Sequence, residues 1–191
     1  PRGKSGNTQV LLEKVLEGFA GSAQESFSWH YLNTEKGRAE AAAAFAETDL
    51  VLLGFPLYTD AMPGIVKDFI DSLAPLVGRE GNPRLAFLVQ SGFPEAHHSR
   101  FVERYLEKLA KRLNAPYAGT IVKGGCEGVR IMPENMNRKL FAGLQALGGD
   151  LAQSGHFDPE KLEKLSRPER YPRILAPLFK LYEDFGMPIA M

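Results

Sequence analysis

The stretch Asp49-Leu50-Val51-Leu52-Leu53-Gly54-Phe55 is an unbroken apolar run that follows a single acid. Its apolar residues occupy consecutive positions, so neither face of an extended chain here suits water. That is the pattern of a parallel strand buried on both faces. Downstream, Arg84 to Gln90 (Arg-Leu-Ala-Phe-Leu-Val-Gln) repeats it, and Tyr117 to Lys123 supplies a further short strand. Upstream, the aromatic-rich Phe27 to Leu32 (Phe-Ser-Trp-His-Tyr-Leu) is predicted as a strand as well.

The intervening segments carry helical periodicity. Leu12, Val15, Leu16 and Phe19 recur behind a cap at Asn7 or Thr8, with a stop near Gly18 and Gly21. Ala39 to Ala46 is alanine-rich, and Ile65, Val66, Phe69, Ile70 and Leu73 form a stripe that begins just after Pro63 and Gly64. Phe101, Tyr105, Leu106, Leu109 and Leu113 form the next stripe, and Met136, Leu140, Phe141, Leu144 and Leu147 the last. Strand and helix alternate throughout. Parallel strand pairs require crossover connections, so the expected fold is α/β: a doubly wound parallel sheet with helices on both faces.

Composition narrows the functional classes. The chain has 191 residues, 44% hydrophobic and 24% charged, which suits one folded domain with an elaboration. Lys plus Arg and Asp plus Glu are equal at 23 each, so no global field favours nucleic acid or an anionic membrane. A lone cysteine, Cys126, rules out an intrachain disulfide framework and a metal site built from several thiolates of one chain. A reducing cytoplasm is expected. No apolar run approaches the length of a membrane span, so no membrane insertion is expected. From about Phe157 the pattern changes: Pro159, Pro168, Pro172, Pro177 and Pro188 punctuate a segment with one apolar stripe at Ile174, Leu178 and Tyr182. The expected division is a domain over 1–155 and a helical extension over 156–191, with Pro177 kinking or splitting a helix there.

In open α/β sheets ligands bind beyond the carboxyl ends of the strands. The loops that matter are therefore Pro1 to Thr8, Pro56 to Pro63, Ser91 to His98 and Gly124 to Pro133. The first, Pro-Arg-Gly-Lys-Ser-Gly-Asn-Thr, sets cations, hydroxyls, an amide and glycines directly before a helix, which suits a phosphate at a helix N-terminus. Two other readings stand beside it: an ordinary polar start with a capping threonine, and the end of a nucleoside-triphosphate loop at Gly3-Lys4-Ser5. The second of these is disfavoured because Asp49 opens the following strand rather than closing it, where a metal-binding Asp would lie.

Arg2, Ser5, Asn7 and Thr8 in this loop resemble the Ser-Pro-Arg-x-x-Gly-Asn-Thr loop of the NAD(P)H-dependent FMN reductase and iron-sulfur flavoprotein families. Pro56-Leu57-Tyr58-Thr59-Asp60-Ala61-Met62-Pro63-Gly64, followed by Lys67, Phe69 and Asp71, is similar to their second signature. Ser91, Gly92 and Phe93 match a third flavin-contacting position more loosely. The resemblance covers roughly residues 1–155 and implies a flavodoxin-like fold. It implies an FMN phosphate held by Arg2, Ser5, Asn7 and Thr8, and an isoalloxazine ring lined by Pro56, Leu57, Tyr58, Thr59, Ala61 and Met62, with Ser91, Gly92 and Phe93 nearby. Met62 is expected beneath the ring. Whether Tyr58, Phe93 or an aromatic residue of the extension stacks on the ring is left open, since aromatic stripes are usually core.

The activity so implied is electron transfer from NAD(P)H through FMN to a small acceptor, a quinone, nitro, azo, flavin or metal compound, with no catalytic side chain and with the enzyme a homodimer. The alternatives are a flavodoxin-like electron carrier without nicotinamide activity, and a chain that keeps the fold without the cofactor.

Two departures from those families follow. Their first strand, the middle of the sheet, has no counterpart after Pro1 and is expected upstream, because losing a central strand would expose its neighbours' backbone groups. The cysteine cluster of iron-sulfur flavoproteins is absent from Trp29 to Asp49, so no such cluster is expected. His97 and His98 read as a solvated helix cap rather than metal ligands, and Cys126 as a packed loop residue.

Overall fold

The computed structural model describes residues 3–21 and 27–171. Arg2 and the stripe at Ile174, Leu178 and Tyr182 lie outside the described residues, as does Pro177. Three parallel strands, β1 (Leu50–Pro56), β2 (Arg84–Gln90) and β3 (Tyr117–Lys123), form a sheet in the order β1-β2-β3. Leu50 to Pro56 run in register with Arg84 to Gln90, and β3 follows β2 with one irregularity at Leu85/Ala86.

Among the described residues six α-helices surround the sheet: α1 (Asn7–Ala20), α2 (Glu35–Phe45), α3 (Gly64–Ser72), α4 (Arg100–Arg112), α5 (Glu134–Ser154) and α6 (Pro159–Ser166). Side chains of a strand alternate between faces, and β2 shows what that builds. Ala86 and Leu88 enter one core with Leu11, Val15, Leu144 and Leu147 of α1 and α5. Leu85, Phe87 and Val89 enter the other with Val66, Phe69 and Leu106 of α3 and α4. Helices therefore cover both faces, and the doubly wound architecture expected from the alternation is the one found.

α1 and α5 lie in backbone contact. A Cβ placed on Gly18 would stand 1.9 Å from the Gln145 carbonyl oxygen, and one on Gly148 1.9 Å from that of Val15. This seating fixes the start of α1, and with it the first loop, against the sheet.

The structure corrects several readings. Gly6, not Asn7 or Thr8, occupies the N-cap of α1 and offers no side-chain hydrogen bond. α2 starts earlier than the alanines, because the Thr34 hydroxyl accepts from the Gly37 amide and caps it there. In α4 the buried positions are Val102, Leu106 and Ala110, whereas Phe101 and Tyr105 are exposed. Phe101 stays 71% exposed, with the Arg104 guanidinium over one face of its ring, 4.6 Å from the ring centre.

The predicted strand at Phe27 to Leu32 is not one: Phe27 to Tyr31 are irregular and Leu32 lies in a turn. The rings of Trp29 and Tyr31 stack with centroids 6.4 Å apart and an interplanar angle of 13°, two residues apart along the chain. A strand is defined by the neighbour it bonds to, and among the described residues this segment has no ladder partner.

β1 departs from expectation too. Leu50, Val51, Leu52 and Leu53 are only half-buried, although they read as the most apolar strand. Their outer edge faces a groove of about 460 Å³ that runs between Leu12 of α1 and the Trp29–Leu32 segment. The opposite edge of the sheet is closed: the Phe157 amide donates to the Ala118 carbonyl at 2.8 Å, and Phe157 is buried in the α1/α5 core. The Asp158 carboxylate then accepts from the Glu160 and Lys161 amides and starts α6 at Pro159, which packs on β3.

Candidate functional site

The loops at the carboxyl ends of the three strands meet around one end of this groove. Gly3 takes a left-handed φ of 54° and opens a single tight turn through Ser5, which delivers the chain to Gly6 and α1. The Gly6 amide returns to the Gly3 carbonyl at 3.0 Å. With glycine at the cap, no side chain competes for the N–H groups of the first turn of α1, and the helix presents its positive end to the groove.

Asn7 and Thr8 are held by neighbours that the sequence did not point to. The Asn7 Nδ2 donates to the Cys126 carbonyl at 2.7 Å and the Glu127 carbonyl at 3.0 Å, tying the first loop to the one after β3. The Thr8 hydroxyl accepts from Gln90 Nε2 at 3.2 Å. Gln90 is a buried polar residue at the end of β2, and its carbonyl also accepts from the Leu57 amide at 2.7 Å. One residue thus joins the first and second loops. Arg130 donates to the Ser5 carbonyl and brings a cation to the first loop from the far side. Its position within Gly124 to Pro133 was legible; its partner, 125 residues away, was not.

The second loop turns tightly. Tyr58 and Ala61 exchange amide-to-carbonyl bonds of 2.8 and 3.0 Å, with Thr59 and Asp60 between them at φ values of 48° and 60°. Two adjacent non-glycine residues in the left-handed region carry a conformational cost that the surroundings must offset. One offset is the hydrogen bond between Asp60 Oδ1 and His98 Nδ1 at 2.8 Å. Tyr58 stands half exposed at the mouth of the groove.

The third loop folds over the second and fourth. The Ser91 hydroxyl donates to the Phe93 carbonyl at 2.9 Å, and the Cys126 amide donates to the Ser91 carbonyl at 2.9 Å. A Cβ on Gly124 would lie 2.4 Å from the Phe93 carbonyl oxygen, so this loop crossing accepts only glycine there. Burial pushes the Cys126 thiol up to about 12 and holds the neighbouring Lys123 ammonium below its ordinary range. The thiol is therefore neutral and inert near neutrality, as expected of a packed loop residue.

Of the residues singled out from sequence, Asn7, Thr8, Pro56, Leu57, Tyr58, Ser91 and Gly92 line the groove together. Ser5, Thr59, Ala61 and Phe93 sit on the same loops outside its wall. Met62 packs against the α3/α4 core rather than the groove, because the turn at Thr59–Asp60 directs it inward. His97 and His98 are not a solvated cap. Their side chains are only 26% exposed and lie in a short turn, Ala96–Ser99, that precedes α4.

A doubly wound parallel sheet whose strand-end loops meet beside an uncapped helix N-terminus defines the flavodoxin-like class of α/β proteins. Solved structures of that class match the chain. An NADPH-quinone reductase from P. pentosaceus matches at 16% identity with a TM-score of 0.54, over 78% of this chain and 91% of its own. An NADH:FMN oxidoreductase in its apo form matches at 15% identity and a TM-score of 0.59, over 88% and 92%. An FMN-dependent NADH-azoreductase from Bacillus anthracis, in complex with FMN, matches at 12% identity and a TM-score of 0.55, over 78% and 93%. At such identities the likeness establishes the fold. No family model and no curated protein matches the sequence.

Proposed function

We propose that the chain is an FMN-dependent NAD(P)H oxidoreductase that passes electrons to a small-molecule acceptor. The observation that carries this reading is the convergence of Asn7 and Thr8, Pro56 to Tyr58, and Ser91 and Gly92 on one groove, the three loops singled out by the resemblance. Proteins described as an NADPH-quinone reductase, an NADH:FMN oxidoreductase and an FMN-dependent NADH-azoreductase share the fold and suggest the class of acceptor.

The residues present fit the cofactor. The uncapped start of α1 and the close backbone approach at Gly3 and Gly6 suit a phosphate, with Ser5, Thr8 and the backbone amide of Asn7 as donors and Arg130 adding charge, while the Asn7 side chain holds the loop in place. In this reading Arg2 joins them. Pro56, Leu57 and Tyr58 flank the ring, with Ser91 and Gly92 completing the mouth and Thr59, Ala61 and Phe93 behind them on the same loops. Gln90 is added as the residue that holds Thr8 and Leu57 at a fixed separation. Bound FMN supplies the hydride and electron transfer chemistry; the protein holds, orients and shields it. The inert Cys126 has no part in a covalent step.

Residues 1–155 form the cofactor-binding unit in this reading. The homodimer implied by the resemblance and the cytoplasmic location expected from the lone cysteine belong to it too, and a dilution series in sedimentation showing only monomer removes the dimer. Among the described residues no helix is long and apolar enough to cross a membrane.

The test is the visible absorption spectrum of the purified protein, before and after FMN and then anaerobic NADPH or NADH. Flavin bands that shift on binding and bleach with the nicotinamide support the reading. Bands that bind but persist favour the electron carrier, and the absence of FMN binding overturns the proposal.

A further inference from the structure

Beside the groove, the loop after β2 brings two imidazoles and a carboxylate together. In Phe93-Pro94-Glu95-Ala96-His97-His98 the chain makes a tight turn over Ala96–Ser99, which sets Glu95 and His98, three residues apart, on one side. Glu95 Oε2 stands 3.9 Å from His97 Nδ1 and 3.7 Å from His98 Nε2, and one ligand atom from each of the three residues lies within 4.8 Å of the other two. Neither separation is a hydrogen bond. His97 Nδ1 is buried and has no hydrogen-bond partner among the described residues, an unsatisfied ring nitrogen directed at the same carboxylate oxygen.

The surroundings prepare these atoms for one more partner. Asp60 Oδ1 holds His98 Nδ1 at 2.8 Å, which fixes the tautomer with the proton on Nδ1 and leaves the Nε2 lone pair facing Glu95. Phe93 stacks on the His98 ring with centroids 4.7 Å apart and fixes its plane. The other oxygen of Glu95 is occupied by the Tyr171 amide at 2.6 Å. The backbone is clamped as well, with the Ala96 amide on the Pro168 carbonyl and the His97 amide on that of Glu169.

We propose that Glu95, His97 and His98 bind one divalent transition-metal ion of the zinc type, with Asp60 orienting His98. Two imidazoles and one carboxylate suit zinc or cobalt(II) rather than the oxygen-seeking calcium or magnesium. Bonds of about 2.0–2.2 Å in a tetrahedron separate ligand atoms by roughly 3.3 Å. The two carboxylate–imidazole distances, 3.7 and 3.9 Å, close on the ion by about half an ångström, and the two imidazoles, within 4.8 Å of each other, swing together to complete the set. The fourth position stays open to water. Through Asp60 the ion also fixes the Tyr58–Ala61 turn, so its occupancy stiffens the rim of the groove without contacting a ligand there.

The experiment uses tag-free protein, stripped with chelator and kept without flavin or nicotinamide, titrated with zinc chloride by calorimetry and with cobalt(II) by visible absorption. One ion per chain is expected, with cobalt bands of a low-coordinate site. Glu95→Gln and His98→Ala each abolish the bands, Asp60→Asn weakens zinc binding by about 10–100-fold, and the control His30→Ala leaves it unchanged. Thermal unfolding in chelator checks that each variant folds. If His98→Ala fails that check, Glu95→Gln, which keeps the bulk of the side chain and an acceptor for Tyr171, decides. A wild-type chain that binds neither ion, or zinc binding that survives in His97→Ala/His98→Ala, overturns the proposal. Since no flavin is present, neither result bears on the proposed oxidoreductase.

Discussion

The two edges of the sheet have opposite surroundings. Along β3 the outer edge is closed by the Phe157 backbone bond and by α6, and Ala118, Thr120, Ile121 and Val122 are buried. Along β1 the outer edge opens on the groove, and four successive apolar residues remain half-buried. Both strands pair in parallel with β2 on their inner side, β3 with one irregularity at Leu85/Ala86. What separates them is the neighbour beyond, so a strand's burial belongs to its sheet position and not to its own sequence.

The comparison is broken or sharpened most strongly by paired truncations. Phe157→Ala, at the closed edge, is expected to lower stability by about 3–5 kcal/mol, and Leu52→Ala, at the open edge, by about 1 kcal/mol. Chemical denaturation of both variants measures this. Equal losses would mean that the groove along β1 is filled in solution by something that buries Leu52.

A smaller effect is expected at Asn7, which bridges from α1 to the loop leaving β3. Asn7→Ala should cost about 1–2 kcal/mol from two lost hydrogen bonds and two stranded carbonyls. It should also weaken FMN binding, measured by fluorescence titration of the flavin. Unchanged affinity would detach the β3 side from the cofactor site.

The smallest effect lies at alkaline pH and again concerns β3. Burial pushes the Tyr117 hydroxyl up to about 12, only partly opposed by its bond to Thr120, and pushes the Cys126 thiol equally high. Both groups are more acidic in the unfolded chain, so their contribution is full below about pH 9 and is lost progressively toward pH 12. Thermal melts across that window should show stability falling, and Tyr117→Phe should flatten the upper part of the fall. A flat wild-type profile would show that neither group is as buried in solution as the closed edge requires.

Much of this was legible because it is local. The bounds of β2 and β3 follow from their apolar runs, and the helix after Pro63 from a proline, a glycine and a stripe. The strand-end loops could be picked out as the candidate site because ligands of a parallel sheet sit beyond its carboxyl ends. What failed depended on distant partners. Phe27 to Leu32 has strand composition and, among the described residues, no neighbour to pair with, and β1 has core composition beside an open groove. In α4 the face that packs on the sheet runs through Val102, Leu106 and Ala110, and Phe101 and Tyr105 lie beside it, a choice set by the neighbouring core and not by the local periodicity. Gln90, Arg130 and the Asp60–His98 pair escaped notice because their partners lie 38 to 125 positions away.

The crossing of α1 and α5 sets a limit on how this sequence can vary. The atoms that a side chain at Gly18 or Gly148 would strike are carbonyl oxygens of the opposite helix, not side chains. No second substitution can trim a carbonyl, so neither position can be exchanged and then compensated across the interface. Any descendant that gains a methyl group at either place must part the two helices, and with them the ground on which the first loop stands.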